Sequence, residues 1–245
     1  MGMTSPKSAG RVSRNPTKPP GQAGSGKPSR ASSTDSTREA ILAAAADSFA
    51  EQGFDRASMR EIAQLSGITA GAIYSHFDSK AELLMEVVKR ALESLPLSGD
   101  RLTGEEEPEH LTENAAIHTD SASRMLRRLS LEVHAAASRD KDVEALLVDY
   151  DDMIMDKLQK LIQRGQKSGK IDKTRDPLFT VRAVVVFIMG LSHLDTLFPK
   201  LIGDRSWRRF VEETMNNLLG LQDGDISKKS TLNSRNRDDR PKHRE

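Results

Sequence analysis

The sequence contains no cysteine and few aromatic residues. Its 245 residues include 1 Trp, 2 Tyr and 7 Phe, so aromatic side chains make up only 4% of the chain. Without cysteine the chain can form no disulfide framework, thiolate metal site or cysteine nucleophile. Sparse aromatics, combined with abundant Ala, Leu, Glu, Arg and Lys, are typical of an all-α protein.

The chain also lacks a long apolar run and a strong net charge. Its longest apolar run, residues 183–191, is shorter than the roughly 20 residues that a membrane-spanning helix needs. Lys7, Arg11 and Arg14 are followed by no apolar segment, so the N-terminus does not resemble a secretory signal. The net charge of +1 does not by itself indicate a nucleic-acid partner. We therefore expect a cytoplasmic protein with no membrane partner.

Both ends of the chain have the composition of disordered segments. Residues 1–34 are rich in Pro, Gly, Ser, Lys and Arg and contain no acidic residue, and residues 222–245 are polar. Such segments bury too little apolar surface to offset the entropy of ordering. Residues 21–28 match a phosphate-binding loop as far as Lys27, but Pro28 stands where that motif needs Ser or Thr. We therefore reject a nucleotide site there.

The most informative stretch begins at Ser58. Ser58 and Glu61 form a capping box, which predicts a helix that begins at Met59. Three residues are expected to form the apolar face of this helix: Ile62, Ala63 and Leu65.

A tight turn and a second short helix follow. Gly67 has no Cβ and can adopt the left-handed conformation of a turn, and Thr69 can cap a helix over residues 70–77. A second capping box, Ser79 with Glu82, begins a longer helix. A helix-turn-helix of this size places its second helix in the major groove of DNA.

A third capping box precedes this motif. Ser36 and Glu39 predict a helix that runs to Gln52 and ends at Gly53. We therefore expect four regions in the chain: a disordered basic tail over 1–34, a DNA-binding domain over 35–80, a helical domain over 81–221 and a disordered tail over 222–245.

The segment from residue 37 to about 95 resembles the TetR family of bacterial transcriptional repressors. The resemblance rests on Ala-Ala-Ala-Asp-Ser-Phe-Ala-Glu-Gln-Gly-Phe at 44–54, followed by Ile-Ala…Gly-Ile-Thr…Gly-Ala-Ile-Tyr-Ser-His-Phe…Ser-Lys-Ala-Glu-Leu-Leu. It implies an all-α fold of about nine helices, in which a three-helix head binds DNA and a C-terminal bundle binds a ligand and dimerises. The C-terminal part is variable in this family, so the resemblance does not identify the ligand.

The resemblance also implies which residues meet DNA. Tyr74, His76 and Lys80 lie where the family contacts phosphates, which position the head without reading sequence. Ala70 and Ala72 offer only methyl contacts, so we expect few direct contacts to bases. DNA shape or the basic tail is then expected to contribute to specificity. The expected DNA-binding residues are Arg38, Ser58, Met59, Thr69, Ala70, Gly71, Ala72, Tyr74, Ser75, His76 and Lys80.

A very apolar helix is predicted over 177–198, with Asp176 as its cap and Pro177 at its first position. A helix that is apolar all round must be buried all round, which predicts a partner surface. With the helix predicted over 204–219, it resembles the pair that forms the dimer interface in the family. The expected interface residues are Phe187, Gly190, Leu194, Trp207, Phe210 and Met215.

Polar groups within apolar helices are the candidate ligand contacts. The principal candidates are His134, Asp151, Arg182 and His193, and two further ones are Asp152 and Asp195. For each of them the simpler interpretation is a hydrogen-bonded core residue or an ion pair. No pair of histidines has metal-ligand spacing, so we expect neither a metal nor a cofactor.

Together these features predict a homodimeric transcriptional regulator, and more specifically a repressor. A small-molecule effector in the C-terminal domain would release it from a palindromic operator in double-stranded DNA. Two alternatives from other classes stay open. One is a helical enzyme with an adventitious helix-turn-helix, which needs a catalytic constellation that the sequence lacks. The other is a helical bundle that serves only to bind partners.

Overall fold

A computed structural model describes residues 30–93, 95–96 and 105–221, with side chains from residue 34 onward. Over these ranges the chain is helical and contains no strand, as the composition predicts. Its α-helices are α1 (Arg30–Gln52), α2 (Met59–Leu65), α3 (Lys80–Leu92), α4 (Glu109–Ile117), α5 (Arg124–Ala137), α6 (Lys141–Ser168), α7 (Pro177–Leu191), α8 (Leu194–Leu197) and α9 (Arg205–Leu219). Three short 3-10 helices add Ala72–Ser75, Ser121–Ser123 and Pro199–Leu201.

Helix α1 begins earlier than the sequence predicts. It starts at Arg30, so Ser36 and Glu39 lie inside the helix and the capping box predicted there does not form. The buried residues of α1 begin at Ile41, and a helix anchored by such packing extends at little cost because propagation is easy once a nucleus exists. The remainder of the expected basic tail, 1–29, and the whole of 222–245 lie outside the described residues.

The head packs around one apolar core. Side chains from α1, α2, the first 3-10 helix and α3 meet there, including Phe49, Ile62, Ile73, Phe77 and Leu84. This core continues into the C-terminal part of the molecule through Leu129 and Val133 of α5 and Val143 and Leu147 of α6. The head is therefore attached to α5 and α6 by shared packing as well as by α3.

A second core lies among α4, α6, α7 and α9. Its buried residues include Leu111, Leu161, Val184, Val211 and Met215. Helix α6 ends at Ser168, and Gly169 directly after it has a φ of 81°, a left-handed value that glycine adopts at low cost. Two strong N-caps set the direction of the following helices: Asp176 accepts from the amide of Phe179 at 2.9 Å, and Asp204 accepts from that of Trp207 at 2.8 Å.

The apolar helix predicted over 177–198 is interrupted. Helix α7 ends at Leu191, and a single turn, α8, follows from Leu194 to Leu197. None of the helices in the described ranges has the length and apolar character needed to cross a membrane.

Candidate DNA-binding surface and ligand cavity

The second element of the helix-turn-helix is shorter than predicted. In place of an α-helix over residues 70–77, the chain forms a 3-10 helix, Ala72–Ser75. The Oγ1 atom of Thr69 accepts a hydrogen bond from the amide of Ala72 at 3.2 Å, but the N-cap of this 3-10 helix is Gly71, which makes no side-chain cap. Ile73 and Phe77 are buried, as their apolar character predicts. Their burial turns the intervening face of the element outward.

Most of the residues that were expected to meet DNA lie on this outward face. Tyr74 is the largest of them, and it is 55% exposed. Thr69, Ala70, Gly71 and Ser75 are also exposed, and Ala72 and His76 are half-buried. The face is thus a small, mostly neutral surface that can approach a groove closely.

Helix α2 is the first helix of the helix-turn-helix and packs in the core of the head. The Ser58 hydroxyl accepts from the amide of Glu61 at 3.2 Å, which confirms the predicted cap. Met59 was expected to contact DNA, but it is only 8% exposed and belongs to the core, so DNA cannot reach it. Leu65, predicted on the apolar face, is instead 68% exposed, and the buried residues of α2 are Met59, Ile62 and Ala63.

Lys80 is engaged inside the head. Its Nζ atom donates to the backbone oxygens of Phe54 at 2.8 Å and Ala57 at 3.2 Å, and it lies 4.2 Å from the centroid of the Phe54 ring. The ammonium group therefore ties the start of α3 to the loop between α1 and α2. This set of partners differs from the phosphate contact that the sequence analysis assigned to Lys80.

Arg38 is also engaged within the head. Its guanidinium group lies 5.0 Å from the centroid of the Phe77 ring and donates to the Glu86 carboxylate at 2.7 Å. Burial by itself would raise the pKa of Glu86, but hydrogen bonds and charges from Arg38 and Lys89 together hold that pKa below its ordinary value. Arg38 therefore links α1 to α3 and is not a free phosphate ligand.

Helix α5 joins the head to the C-terminal part. The Glu132 carboxylate accepts from the amide of Phe54 at 2.7 Å, and Arg139 pairs with Asp55 at 3.0 Å. Arg128 donates to the backbone oxygen of Ala50 at 3.4 Å. All three partners lie at the end of α1 or directly after it. A displacement of α5 would therefore reach the head through directional bonds.

An apolar cavity of about 150 Å³ lies where the two cores meet. Its walls come from α3 to α7 and from residues beside them, and most of the lining residues are aliphatic or aromatic. The lining residues are Val88, Leu92, Leu95, Leu111, Asn114, His118, Ser130, Val133, His134, Leu147, Tyr150, Asp151, Ile154, Met155, Leu158, Val184, Val185, Ile188 and Met189. This combination of apolar walls and a few polar groups is typical of small-molecule sites.

Two of the four principal ligand candidates line this cavity. They are His134, whose Nδ1 is 2.7 Å from the backbone oxygen of Ser130, and Asp151. Arg182 and His193 are exposed and lie outside it, because α7 turns its opposite face toward the cavity. Asp152 is exposed as well.

Four further cavity residues were not predicted from the sequence: His118, Asn114, Ser130 and Tyr150. His118 and Asn114 are linked by a hydrogen-bonding contact of 2.9 Å between the ring Nδ1 and the backbone oxygen. Each of them is an isolated residue in or directly after a helix, and no periodic sequence pattern distinguishes it. Only the fold brings these residues to the cavity.

Burial shifts the ionisation of two groups at the cavity. It raises the pKa of Asp151, with smaller effects from His134, which lowers it, and Asp152, which raises it. Burial lowers the pKa of His118. The hydrogen bond to Asn114 raises this pKa and the nearby charge of Arg127 lowers it, and the net effect is a lowered pKa. The cavity therefore favours neutral groups along its walls.

The predicted interface residues fall into two groups. Leu194 and Met215 are 3% and 0% exposed, so they are core residues of the protomer and are not available to a partner. Gly190 is exposed, and Phe210 is 56% exposed and stacks on Trp207 with ring centroids 5.6 Å apart. Phe187 is half-buried. An apolar surface remains on α7 and the segments after it, formed by Leu178, Phe179, Val186, Leu197, Phe198 and Phe210.

Within the described ranges, no group of three or more His, Asp or Glu side chains could hold a metal ion. A capped helix-turn-helix with an exposed second element, carried by a helical body with an apolar cavity, defines the class of the protein. It is a helix-turn-helix regulator.

Comparisons with known proteins identify the family. Residues 41–87 match the family model described as "Bacterial regulatory proteins, tetR family". The chain is similar to the HTH-type transcriptional regulator TtgR of Pseudomonas putida, with 28% identity over 187 residues, 69% of this chain and 85% of TtgR. These matches support the TetR family, and the relatives found are transcriptional regulators.

Solved structures agree with this assignment. Salmonella enterica GusR has a TM-score of 0.60 and 26% identity, with 75% of this chain and 95% of GusR covered. The structure described as a SmeT–triclosan complex also has a TM-score of 0.60, with 21% identity and coverage of 77% and 93%. At that identity SmeT supports the fold alone.

Proposed function

We propose that this protein is a homodimeric repressor that a small molecule releases from its operator. The observation that carries the proposal is the position of α5. One side of this helix lines the apolar cavity through Ser130 and Val133, and Glu132 on the same turns bonds to the head. A ligand in the cavity and DNA on the head would therefore compete for the position of one helix.

DNA binding is supported by the outward face of the 3-10 helix. Tyr74 and Ser75 are exposed there, while Ile73 and Phe77 hold the element against the core. Because the side chains at residues 70–72 are small or absent, the backbone can come close to base edges, with methyl contacts as the main direct readout.

Dimerisation is supported by the apolar surface on α7. Phe179 is 66% exposed and Val186 is 71% exposed, and they lie seven residues apart on one side of the helix. Large apolar side chains exposed on one side of a helix are typical of a protein interface. Two heads related by a two-fold axis would then match two half-sites of a palindromic operator.

The ligand is expected to be small and mainly apolar. A cavity of about 150 Å³ is close to the size that accommodates a single benzene-like ring in an engineered core. SmeT, which shares the fold, is described in complex with triclosan. Asp151 and His134 are the groups placed to fix the orientation of a ligand's polar end.

Binding to the DNA directly upstream of the protein's own gene tests the proposal. We expect the full-length protein to shift this fragment at nanomolar concentration and to shift a scrambled fragment only weakly at the same salt concentration. A single-ring apolar compound that binds the protein should then lower operator affinity. Tight operator binding that no cavity ligand alters would leave the DNA-binding function standing and remove the ligand-release mechanism.

A further inference from the structure

A second cavity borders α5 at residues other than those that line the apolar cavity. It has a volume of about 520 Å³ and is bounded by the first turns of α5 and the segment that follows α7. Its lining residues are Ser121, Arg124, Arg127, Arg128, Leu131, Ser192, Asp195, Thr196, Pro199 and Ile202. It shares no lining residue with the apolar cavity.

The lining of the second cavity is strongly basic. Three of its residues are arginines and one, Asp195, is acidic. Asp195 pairs with Arg127 at 2.6 Å, and its other carboxylate oxygen is 3.9 Å from Arg124. Positive charge therefore exceeds negative charge even after this carboxylate is counted. The N-terminus of α5 adds to it, because Ser123 makes no side-chain cap there.

Two buried donors in this lining have no partner among the residues that the structure describes. Arg127, which is 1% exposed, uses Nε for Asp195 and Nη1 for the backbone oxygens of His118 and Asp120, both at 2.7 Å. Within the described ranges, its Nη2 atom lacks a hydrogen-bond partner, and so does the hydroxyl of Ser192, which is also 1% exposed. Leaving buried polar groups unpaired is costly, and most proteins avoid it.

We propose that the second cavity is a binding site for a small organic carboxylate. A carboxylate offers two acceptor oxygens in the geometry that a guanidinium group recognises, and Arg127 Nη2, Arg124 and Ser192 supply the donors. The apolar side chains of Leu131, Pro199 and Ile202 border the same space. They favour a carboxylate with an apolar body over an inorganic anion. The site would make the protein responsive to a second, chemically different class of molecule.

Direct binding to the full-length protein tests this assignment without reference to DNA. Isothermal titration with octanoate and benzoate, each against its neutral amide, should show the carboxylate binding at least about tenfold more tightly, because one charge-assisted bond is worth about that factor. Ser192→Ala removes only an unpartnered hydroxyl, so the fold should persist. Ser192→Ala and Arg124→Gln should each weaken carboxylate binding several-fold to about tenfold and leave amide binding unchanged. Lys173→Gln, at an exposed lysine between α6 and α7, is the matched control and should have no effect.

Several results would overturn the assignment. Equal affinity for carboxylate and amide would exclude recognition of the charge. Equal affinity for inorganic phosphate and octanoate would exclude a role for the apolar body. If His134→Ala in the apolar cavity abolished carboxylate binding while Ser192→Ala did not, the carboxylate would occupy the other cavity. If Arg124→Gln changed only the dissociation of the dimer, a partner side chain would fill the site. None of these results bears on operator binding, so failure here leaves the proposed repressor function intact.

Discussion

The carboxylate of Glu132 lies 2.7 Å from the backbone amide of Phe54 and accepts its hydrogen bond. A Cβ placed on Gly53 would lie 3.3 Å from the same carboxylate. Glu132 therefore sits directly against the point at which α1 ends, where Gly53 has a φ of 82°. One residue further along α5, Val133 lines the apolar cavity. Two consecutive residues of α5 therefore connect the cavity to the head, because Val133 lines the cavity and Glu132 bonds to Phe54.

Glu132→Ala should destabilise the protein. The substitution leaves the Phe54 amide without its charged acceptor, and hydrogen bonds to charged groups contribute about 1.5–3 kcal/mol. Chemical denaturation should show a loss in this range, whereas Glu113→Ala, at an exposed position on α4, should change stability by no more than about 0.5 kcal/mol. Equal effects from the two substitutions would show that the bond contributes nothing beyond helix propensity.

Tyr74→Phe should weaken binding to specific and nonspecific DNA alike. The hydroxyl is exposed and is expected on a phosphate, where it positions the head without reading sequence. We expect a loss of about tenfold in affinity, from the value of one hydrogen bond to a charged group. Fluorescence anisotropy on both DNA types is the measurement. Tyr150→Phe removes the other tyrosine hydroxyl of the chain and should leave DNA affinity unchanged. A loss confined to the operator would make Tyr74 a base-reading residue.

Lys80→Met should reduce stability and leave the salt dependence of DNA binding unchanged. The ammonium group donates to Phe54 and Ala57 within the head, and Met keeps its length without its donors. We expect a loss of about 1–3 kcal/mol in the free energy of unfolding. A plot of log affinity against log salt should keep its slope. A slope reduced by about one, with stability intact, would place Lys80 on a phosphate.

Local chemistry predicted the helix boundaries well where a cap and a stop lie close together in sequence. Ser58, Ser79 and Asp176 all cap as expected, because each needs only the amide three residues ahead. The cap predicted at Ser36 does not form, because α1 extends past Ser36 to Arg30. The packing that begins at Ile41 anchors the helix and makes this extension more favourable than a cap at Ser36. Composition indicated the all-α class, whereas the arrangement of about nine helices into a head and a body came from the TetR resemblance.

The sites were less predictable, because they depend on which face of a helix meets which neighbour. Apolar character made Leu194 and Met215 equally good candidates for a core and for an interface, and the fold places Leu194 of α8 and Met215 of α9 in the second core. The resemblance suggested Lys80 and Arg38 as DNA contacts, and sequence alone could not show their intramolecular partners, Phe54 and Glu86, which lie far away in the chain. The second cavity joins α5 to the segment after α7, two parts of the chain with the whole of α6 and α7 between them, and no sequence pattern marks it.

His118 should make stability depend on pH near neutrality. Burial lowers the pKa of His118, assisted by the charge of Arg127, so the folded state holds the neutral ring and the unfolded state takes up a proton first. The stabilisation is therefore fully present above the unfolded pKa of about 6.5 and is lost as pH falls through the lower folded value. Denaturation from pH 8 to 5 should show falling stability in the wild type and a flatter profile in His118→Gln. His193→Gln, at an exposed histidine, should keep the wild-type profile, and a wild-type profile in His118→Gln as well would assign the dependence to other groups.

Gly190→Leu should dissociate the proposed dimer without unfolding the protomer. A Cβ added at Gly190 meets nothing within 4 Å in the described part of the chain, so a larger side chain has space in the isolated protomer. Leu also favours a helix over Gly by about 0.5–1 kcal/mol, so helicity should not fall. The cost arises only where a second copy packs closely against this side of α7, beside the exposed Val186.

Analytical ultracentrifugation and circular dichroism separate these effects. A stable dimer interface buries more than about 1,000 Å², and a leucine inserted at its closest approach would leave that area unpaired. We expect the wild type to sediment as a dimer at micromolar concentration and Gly190→Leu as a monomer with unchanged helical content. Ala145→Leu, on an exposed face of α6, is the control and should remain dimeric. Operator affinity should fall when the dimer dissociates, because a single head makes few base contacts and binds only one half-site of the operator. If Gly190→Leu stays dimeric and binds its operator normally, the exposed apolar side of α7 is not where the two copies meet.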